Sequence, residues 1–268
     1  MLRAPADALG RLPLVGAAAS LAYRRRFMRA RGKLRLFYGI YPDFASAARA
    51  IPPGRDEGYD NAASSTRVID EWLGVYPNDY PVMFWLARLL REGSHVLDWG
   101  GNVGLKYFAF ARYLRYPAGL RWDVTEVPAI VALGREIAER EGATALRFTT
   151  ELDALGEADI LLAAGVLHFI ADPFARLAAA PRLPPHLVLN KVPVQDQPDA
   201  FTLHNMGTAL MPYHLFNRGD FVASIERLGY RLVDEWRSPD VACEVPFHPA
   251  YAVPAYSGFY FTKDAPRC

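Results

Sequence analysis

A carboxylate followed at once by glycines, Asp98-Trp99-Gly100-Gly101-Asn102-Val103-Gly104, is the segment of this chain best suited to hold a ligand. Glycines let the backbone bend sharply and approach a bound molecule closely. Twenty-two residues past the turn stands Glu126, at the end of an apolar run, where a carboxylate supplies the paired acceptors that two ribose hydroxyls need. Its other reading is a solvated acid capping the following helix. Three of the six histidines complete the candidate set. His168 follows a later apolar run, and His204 and His214 lie in a segment rich in Asn, His, Tyr and Met. Histidine is the residue type expected where a proton must leave a nucleophile near neutral pH. His168 also reads as pocket wall and His204 as an ordinary loop histidine. Lys191 could pair with an acidic acceptor or stand as a solvated lysine.

The elements that position these residues alternate. His95-Val96-Leu97-Asp98 reads as a short buried strand, and the glycine turn leads from it into a helix from Leu105 to Leu114. Arg121 to Val127 is a second strand, and Pro128 opens a helix that Gly142 stops. Leu146 to Thr149 and Asp159 to Ala164 are a third and a fourth strand. Asp172-Pro173 caps the next helix, and His186 to Asn190 is a fifth strand. A helix from Arg218 to Leu228 and two strands, Tyr230 to Trp236 and Ser257 to Phe261, close the chain. This alternation predicts an α/β fold with a doubly wound, mostly parallel seven-stranded sheet and an antiparallel edge strand. Ligands of such sheets bind at the carboxyl ends of the strands, where the glycine turn lies.

Residues 1–62 read as a separate arm, basic and helical to about residue 35 and then aromatic, with Phe37, Tyr38 and Tyr41 as a possible lid. Residues 63–268 form the ligand-binding domain. Helical spacing recurs over Thr66–Gly74 and Pro81–Arg91. Within the domain, 193–217 is an insertion too long for a plain connection and placed where loops often take substrates.

Composition narrows the partners. With 51% hydrophobic and 22% charged residues and a formal net charge of +1, the chain is an ordinary globular protein with no field to gather nucleic acid. Arg24-Arg25-Arg26 with Arg29, Arg31 and Lys33 reads as a solvated face, with peripheral membrane contact as the alternative. Two cysteines, Cys243 and Cys268, make neither a disulfide framework nor a metal site. The apolar stretch from Leu12 to Tyr23 is too short to span a bilayer, and a signal peptide is disfavoured by the arginines that follow it. A cytoplasmic protein is expected.

The identity of the ligand turns on two features. A dinucleotide fingerprint requires glycine where Trp99 stands. Asp98 would repel a pyrophosphate, but it suits the sulfonium and amino groups of S-adenosylmethionine. Val96 to Gly104 resembles the first motif of class I S-adenosylmethionine-dependent methyltransferases, with Asn102 in place of the usual middle glycine. Glu126 matches their ribose-binding acid, Glu151 lies near their adenine-contacting position, and Asp159 to Pro173 resembles their fourth-strand motif. The resemblance spans about residues 80 to 262. It implies cofactor contacts from Asp98, Gly100, Gly101, Asn102 and Gly104, and from Glu126, Val127, Glu151 and Ala164. Gly58-Tyr59-Asp60-Asn61 and the stretch from Phe201 to Arg218 are similar to a bacterial group of methyltransferases associated with surface-polysaccharide gene clusters.

No Asn-Pro-Pro-Tyr follows the fourth strand, which tilts the acceptor toward a small molecule or saccharide methylated at oxygen, with His168 and His204 as candidate catalytic residues. An NAD- or nucleotide-sugar-dependent oxidoreductase is the rival enzyme class, disfavoured by Trp99 and by the lack of a Tyr-x-x-x-Lys pair. A non-catalytic binder of the same cofactor is the third reading.

Overall fold

The computed structural model describes residues 13–32, 35–55 and 74–263. Arg3, Arg11, Lys33, Gly58–Asn61, the helix expected over 66–74 (apart from Gly74) and Cys268 lie outside the described residues.

Seven strands form the central sheet: β2 (His95–Trp99), β3 (Arg121–Thr125), β4 (Leu146–Thr149), β5 (Ile160–Ala164), β6 (His186–Val192), β10 (Arg231–Ser238) and β11 (Tyr256–Thr262). Their order is β10-β11-β6-β5-β2-β3-β4. The pairs β4–β3, β3–β2, β2–β5 and β5–β6 are parallel, whereas β11 is antiparallel to both β6 and β10. The expected α/β sheet is therefore present. Its antiparallel strand is inserted one place in from the edge. All five residues of β2 are buried, as a strand covered on both faces requires. Strand order reverses between β2 and β5, and the ends of those two strands define the ligand crevice of an open sheet.

Helices α1 (Pro13–Arg29), α3 (Tyr80–Leu89), α4 (Leu105–Phe110), α5 (Pro128–Arg140), α6 (Pro173–Ala178) and α7 (Arg218–Glu226) fall close to their expected places, whereas α2 (Phe44–Arg49) lies in the aromatic stretch, where no helix was expected. Asp172 caps α6 by accepting from the Ala175 amide at 2.8 Å. α4 stops a turn before Leu114. No helix among the described residues is long and apolar enough to cross a membrane.

The insertion is a second sheet. Residues 193–217 fold into β7 (Val194–Gln195), β8 (Ala200–Asn205) and β9 (Leu210–Asn217), the last two an antiparallel hairpin. The aromatic stretch of the arm, for which no strand was expected, is β1 (Leu36–Tyr41), and it pairs antiparallel with β8 to give the order β1-β8-β9-β7. Every residue of β8 is buried, so no alternation advertised it as a strand. Asn205 ties the arm to this sheet. Its side-chain amide donates to Phe27 O at 2.6 Å at the end of α1, and its Oδ1 accepts from the Gly207 amide at 2.6 Å.

Gly207 has φ +85°, and a Cβ there would lie 1.7 Å from the Gly32 carbonyl oxygen. Backbone cannot yield as a side chain can, so Gly207→Ala is expected to destabilise the protein by about 2 kcal/mol or more. Chemical denaturation checks this; an unchanged midpoint would mean that the arm does not pack on the hairpin.

Candidate functional site

Strand β2 ends at Trp99, whose indole is buried among Leu97, Leu161 and Leu189. The chain then turns through Gly100 (φ +71°), Asn102 (φ +54°) and Gly104 (φ +84°), three left-handed residues before α4. A Cβ on Gly100 would meet Val166 at 2.5 Å, so the turn lies against the segment that follows β5. Asn102 tolerates its conformation as asparagine often does, and its Oδ1 accepts from the Val103 amide at 2.8 Å.

Glu126 closes this turn from the side. One carboxylate oxygen accepts from the Asn102 amide at 3.2 Å and the other from the Val127 amide at 3.1 Å. Each oxygen keeps a further lone pair for a ligand hydroxyl. Burial raises its pKa, against the two backbone donors that favour the charged form. Glu126 is thus no solvated cap: it is largely buried and satisfies the amides of Asn102 and of Val127, the residue before α5, beside the turn.

Asp98 lies beneath the turn and is fully buried. Oδ2 accepts from the Trp122 indole at 3.2 Å, while Oδ1 has no partner. A Cβ on Gly101 would come within 2.5 Å of this carboxylate. The glycine is therefore required by the acid below it as much as by any ligand above it. Burial pushes the Asp98 pKa up to about 7, with the Trp122 hydrogen bond and the charge of Lys106 acting in the opposite sense.

Gly100, Gly101, Asn102, Gly104 and Glu126 converge at the ends of β2 and β3, and Val127 leaves Glu126 toward α5. Ala164 ends β5 across the crevice. Glu151 stands apart: it is exposed, and its carboxylate meets only the adjacent Thr150 hydroxyl, at 3.4 Å.

The histidines are buried in rings. His168 contacts Tyr213 (4.2 Å between centroids) and Phe169 (4.4 Å), while His204 stacks on Phe37 at 4.7 Å. Strand pairing sets that last contact, because His204 is opposite Phe37 in the β1–β8 register. Neither His204 nitrogen has a partner, nor has Nδ1 of His168. Burial, then the charge of Arg35, lowers the His204 pKa to about 3 and pushes His168 well below its usual value. Both imidazoles are neutral at pH 7, and at that pKa His204 is a weak proton acceptor. His214 faces elsewhere and is held by Asp199 at 2.9 Å.

Sequence reasoning passed over a polar cluster at the ends of β5 and β6. Lys106 of α4 pairs with fully buried Asp79 at 2.7 Å. Asn190 of β6 donates to the Asn78 carbonyl at 2.9 Å and accepts from the Trp236 indole at 3.1 Å. A lysine at the second position of an amphipathic helix carries no signal that its ammonium is buried. Only the neighbouring Asp79 explains it.

Asp98 generates a pH dependence. The native state keeps a proton that the unfolded chain releases near pH 4, so this group adds stability as pH falls from about 7 toward 4 and removes it as pH rises to 7. Asp98→Asn is expected to flatten that profile and to raise stability at pH 8 by about 1 kcal/mol or more. Thermal unfolding between pH 5 and pH 8 reads this directly; parallel curves for the two proteins would refute the raised pKa.

No family model matches the chain, and no curated protein matches it. Solved structures do. The chain is similar to the 1,6-didemethyltoxoflavin-N1-methyltransferase of Burkholderia thailandensis, solved with 1,6-didemethyltoxoflavin and S-adenosylhomocysteine bound. Identity is 22% and the TM-score 0.50, over 76% of this chain and 85% of that one. It is also similar to the CcbJ methyltransferase of Streptomyces caelestis (17% identity, TM-score 0.46, 74% and 96% covered). A third is an S-adenosylmethionine-dependent methyltransferase of Aquifex aeolicus (15%, 0.46, 70% and 94%). The strand order, the inserted antiparallel strand and the first of these likenesses together give the chain the Rossmann-like fold of class I methyltransferases.

Proposed function

We propose that this protein is an S-adenosylmethionine-dependent methyltransferase acting on a small-molecule or saccharide acceptor, with oxygen as the favoured nucleophile. The observation that carries the reading is the Glu126 carboxylate, which bridges the Asn102 and Val127 amides with lone pairs left for a ribose diol. The left-handed glycine turn lies beside it, at the carboxyl end of β2, where open sheets take their ligands. When bound, the cofactor supplies a methyl group on a sulfonium, transferred by in-line displacement to a nucleophile held about 3 Å away.

The chain's own residues then divide the work. Gly100, Gly101, Asn102 and Gly104 give the cofactor its bed, and Asp98 holds that bed from below. Glu126 takes the ribose, Val127 and Ala164 wall the crevice, and Glu151 stands toward the adenine side. His168 and His204 line the acceptor side from within, as buried neutral imidazoles with unpartnered nitrogens. Residues 193–217 and the strand lent by the arm are the acceptor-binding part of the molecule. The bacterial polysaccharide setting, and a cytoplasmic location with a basic arm free to touch a membrane, belong to this same reading.

Isothermal titration with S-adenosylmethionine, S-adenosylhomocysteine and NAD tests it. Both sulfur ligands are expected to bind and NAD is not. Glu126→Ala should weaken S-adenosylhomocysteine by about tenfold or more, as loss of paired hydrogen bonds to a charged group implies. His204→Ala should leave that affinity unchanged. Tight NAD binding with no heat from S-adenosylmethionine would sink the proposal in favour of an oxidoreductase.

A further inference from the structure

Lys191 does not follow the path of its strand. Pairing of β6 with β11 shifts register between Ser257 and Phe259, and at this irregularity Lys191 adopts φ +56°, a conformation unfavourable for any residue with a side chain. Bulges of this kind re-aim side chains. The lysine stem crosses the end of β5, its Cδ 3.6 Å from where a Cβ on Gly165 would stand, and its Nζ sits 5.7 Å from the centre of the Tyr76 ring. Gly165, with φ +91°, is the first residue past β5. The ammonium is thus carried past the end of β5 to the Tyr76 ring, which the Lys106 ammonium also approaches, at 5.8 Å.

A second cation borders the same strand pair, since Val192 pairs with Ser257 and the preceding Tyr256 holds Arg35. Arg35, just before β1, donates to the Tyr256 hydroxyl at 2.8 Å and lies over two rings, 5.7 Å from Phe37 and 5.2 Å from Tyr256. The planar guanidinium is therefore held in one orientation against these two rings. Lys106, Arg121 and Arg218 each have a carboxylate partner. Lys191 and Arg35 form no ion pair among the described residues. Tyr213 hydrogen-bonds Tyr256 at 2.6 Å, which places the free nitrogens of His168 and His204 around the same rings.

We propose that Lys191 and Arg35 form an oxyanion subsite, so that the methyl acceptor carries a carboxylate or phosphate that these two cations hold while its nucleophile meets the crevice. The proposal rests on the methyltransferase reading for the word acceptor, but the subsite itself does not need it. A guanidinium fixed by ring faces offers its fork to two oxygens of one anion, and a lysine beside it adds a compact charge. Burial and the charges of Lys106 and Arg35 lower the Lys191 pKa to about 8, against Asp79 and Asp240, which raise it. The ammonium is present below pH 8 and lost above it. An anion seated there favours the charged form.

The test uses protein saturated with S-adenosylhomocysteine and titrated at pH 7 with benzoate, phenyl phosphate and the uncharged benzamide. At least one anion is expected to bind about tenfold or more tightly than benzamide, and the better of the two names the acceptor's acid. Lys191→Gln and Arg35→Gln should each remove about tenfold of that preference, and Lys191→Arg should restore most of it. Raising the pH to about 9.5 should weaken binding to wild type and leave Lys191→Arg nearly unaffected, because guanidinium does not titrate there. Equal binding of benzamide, no binding of either anion, or undiminished binding by both glutamine variants would overturn the proposal. So would a loss of S-adenosylhomocysteine affinity in Lys191→Gln, which would assign the cation to the cofactor's own carboxylate. If S-adenosylhomocysteine does not bind at all, the methyltransferase reading fails, and titration of the unloaded protein still decides the oxyanion subsite.

Discussion

A carboxylate without water must be boxed in, and the box around Asp98 organises the rest of the site. One oxygen meets the Trp122 indole of β3, the other has no partner, and the roof is Gly101, where no Cβ fits. β2 therefore has to end under a turn that is bare at this position. The turn then runs through left-handed residues at Gly100, Asn102 and Gly104 into α4. The same acid couples the turn to α4, because the charge of Lys106 reaches it while that lysine is pinned by Asp79. Burying such a group costs stability, and the cost is met by a turn that is shaped before any ligand arrives.

The far side of the crevice has a different foundation. The insertion becomes a sheet because β1 joins β8, and that pairing lays His204 on Phe37 and brings Arg35 to Tyr256. Residues separated by more than 160 positions in the chain thus meet through backbone hydrogen bonds. Asn205 completes the joint by serving both the end of α1 and the hairpin turn. An arm anchored in this way is part of the second sheet's framework, and Phe37 of β1 is buried within it.

What could be read from the sequence follows from where each signal resides. The central sheet was legible because apolar runs, glycine stops and proline starts are local, and because Asp98 to Gly104 combines a strand end, a turn and a helix start within seven residues. β8 was not, since a strand buried on both faces has no alternation to detect and its partner β1 lies far away in the chain. Glu126 was legible as a position, yet its capping of two amides depends on the distance between two loops. The role first given to Asp98, facing a cationic ligand, followed from its charge alone; its complete burial under Gly101 is a tertiary fact. Lys106, Arg35 and the bulge at Lys191 fall in the same class, as cations whose surroundings come from distant strands.

The buried histidines and the two cations bear on one question, which is how a nucleophile would be prepared. A base works best when its pKa lies near the working pH. His204 at about 3 is far from that range, and Lys191 at about 8 is close to it. Burial lowers both groups most and the neighbouring positive charges add to it; those charges also favour the ionised form of any acid brought beside them. An acceptor whose oxygen carries or shares an acidic function would then arrive already deprotonated, or lose its proton through binding, with no separate base required. On the oxyanion-subsite proposal the charge would come from Lys191 and Arg35, and the neutral imidazoles packed among Phe37, Phe169 and Tyr213 would have no part as bases.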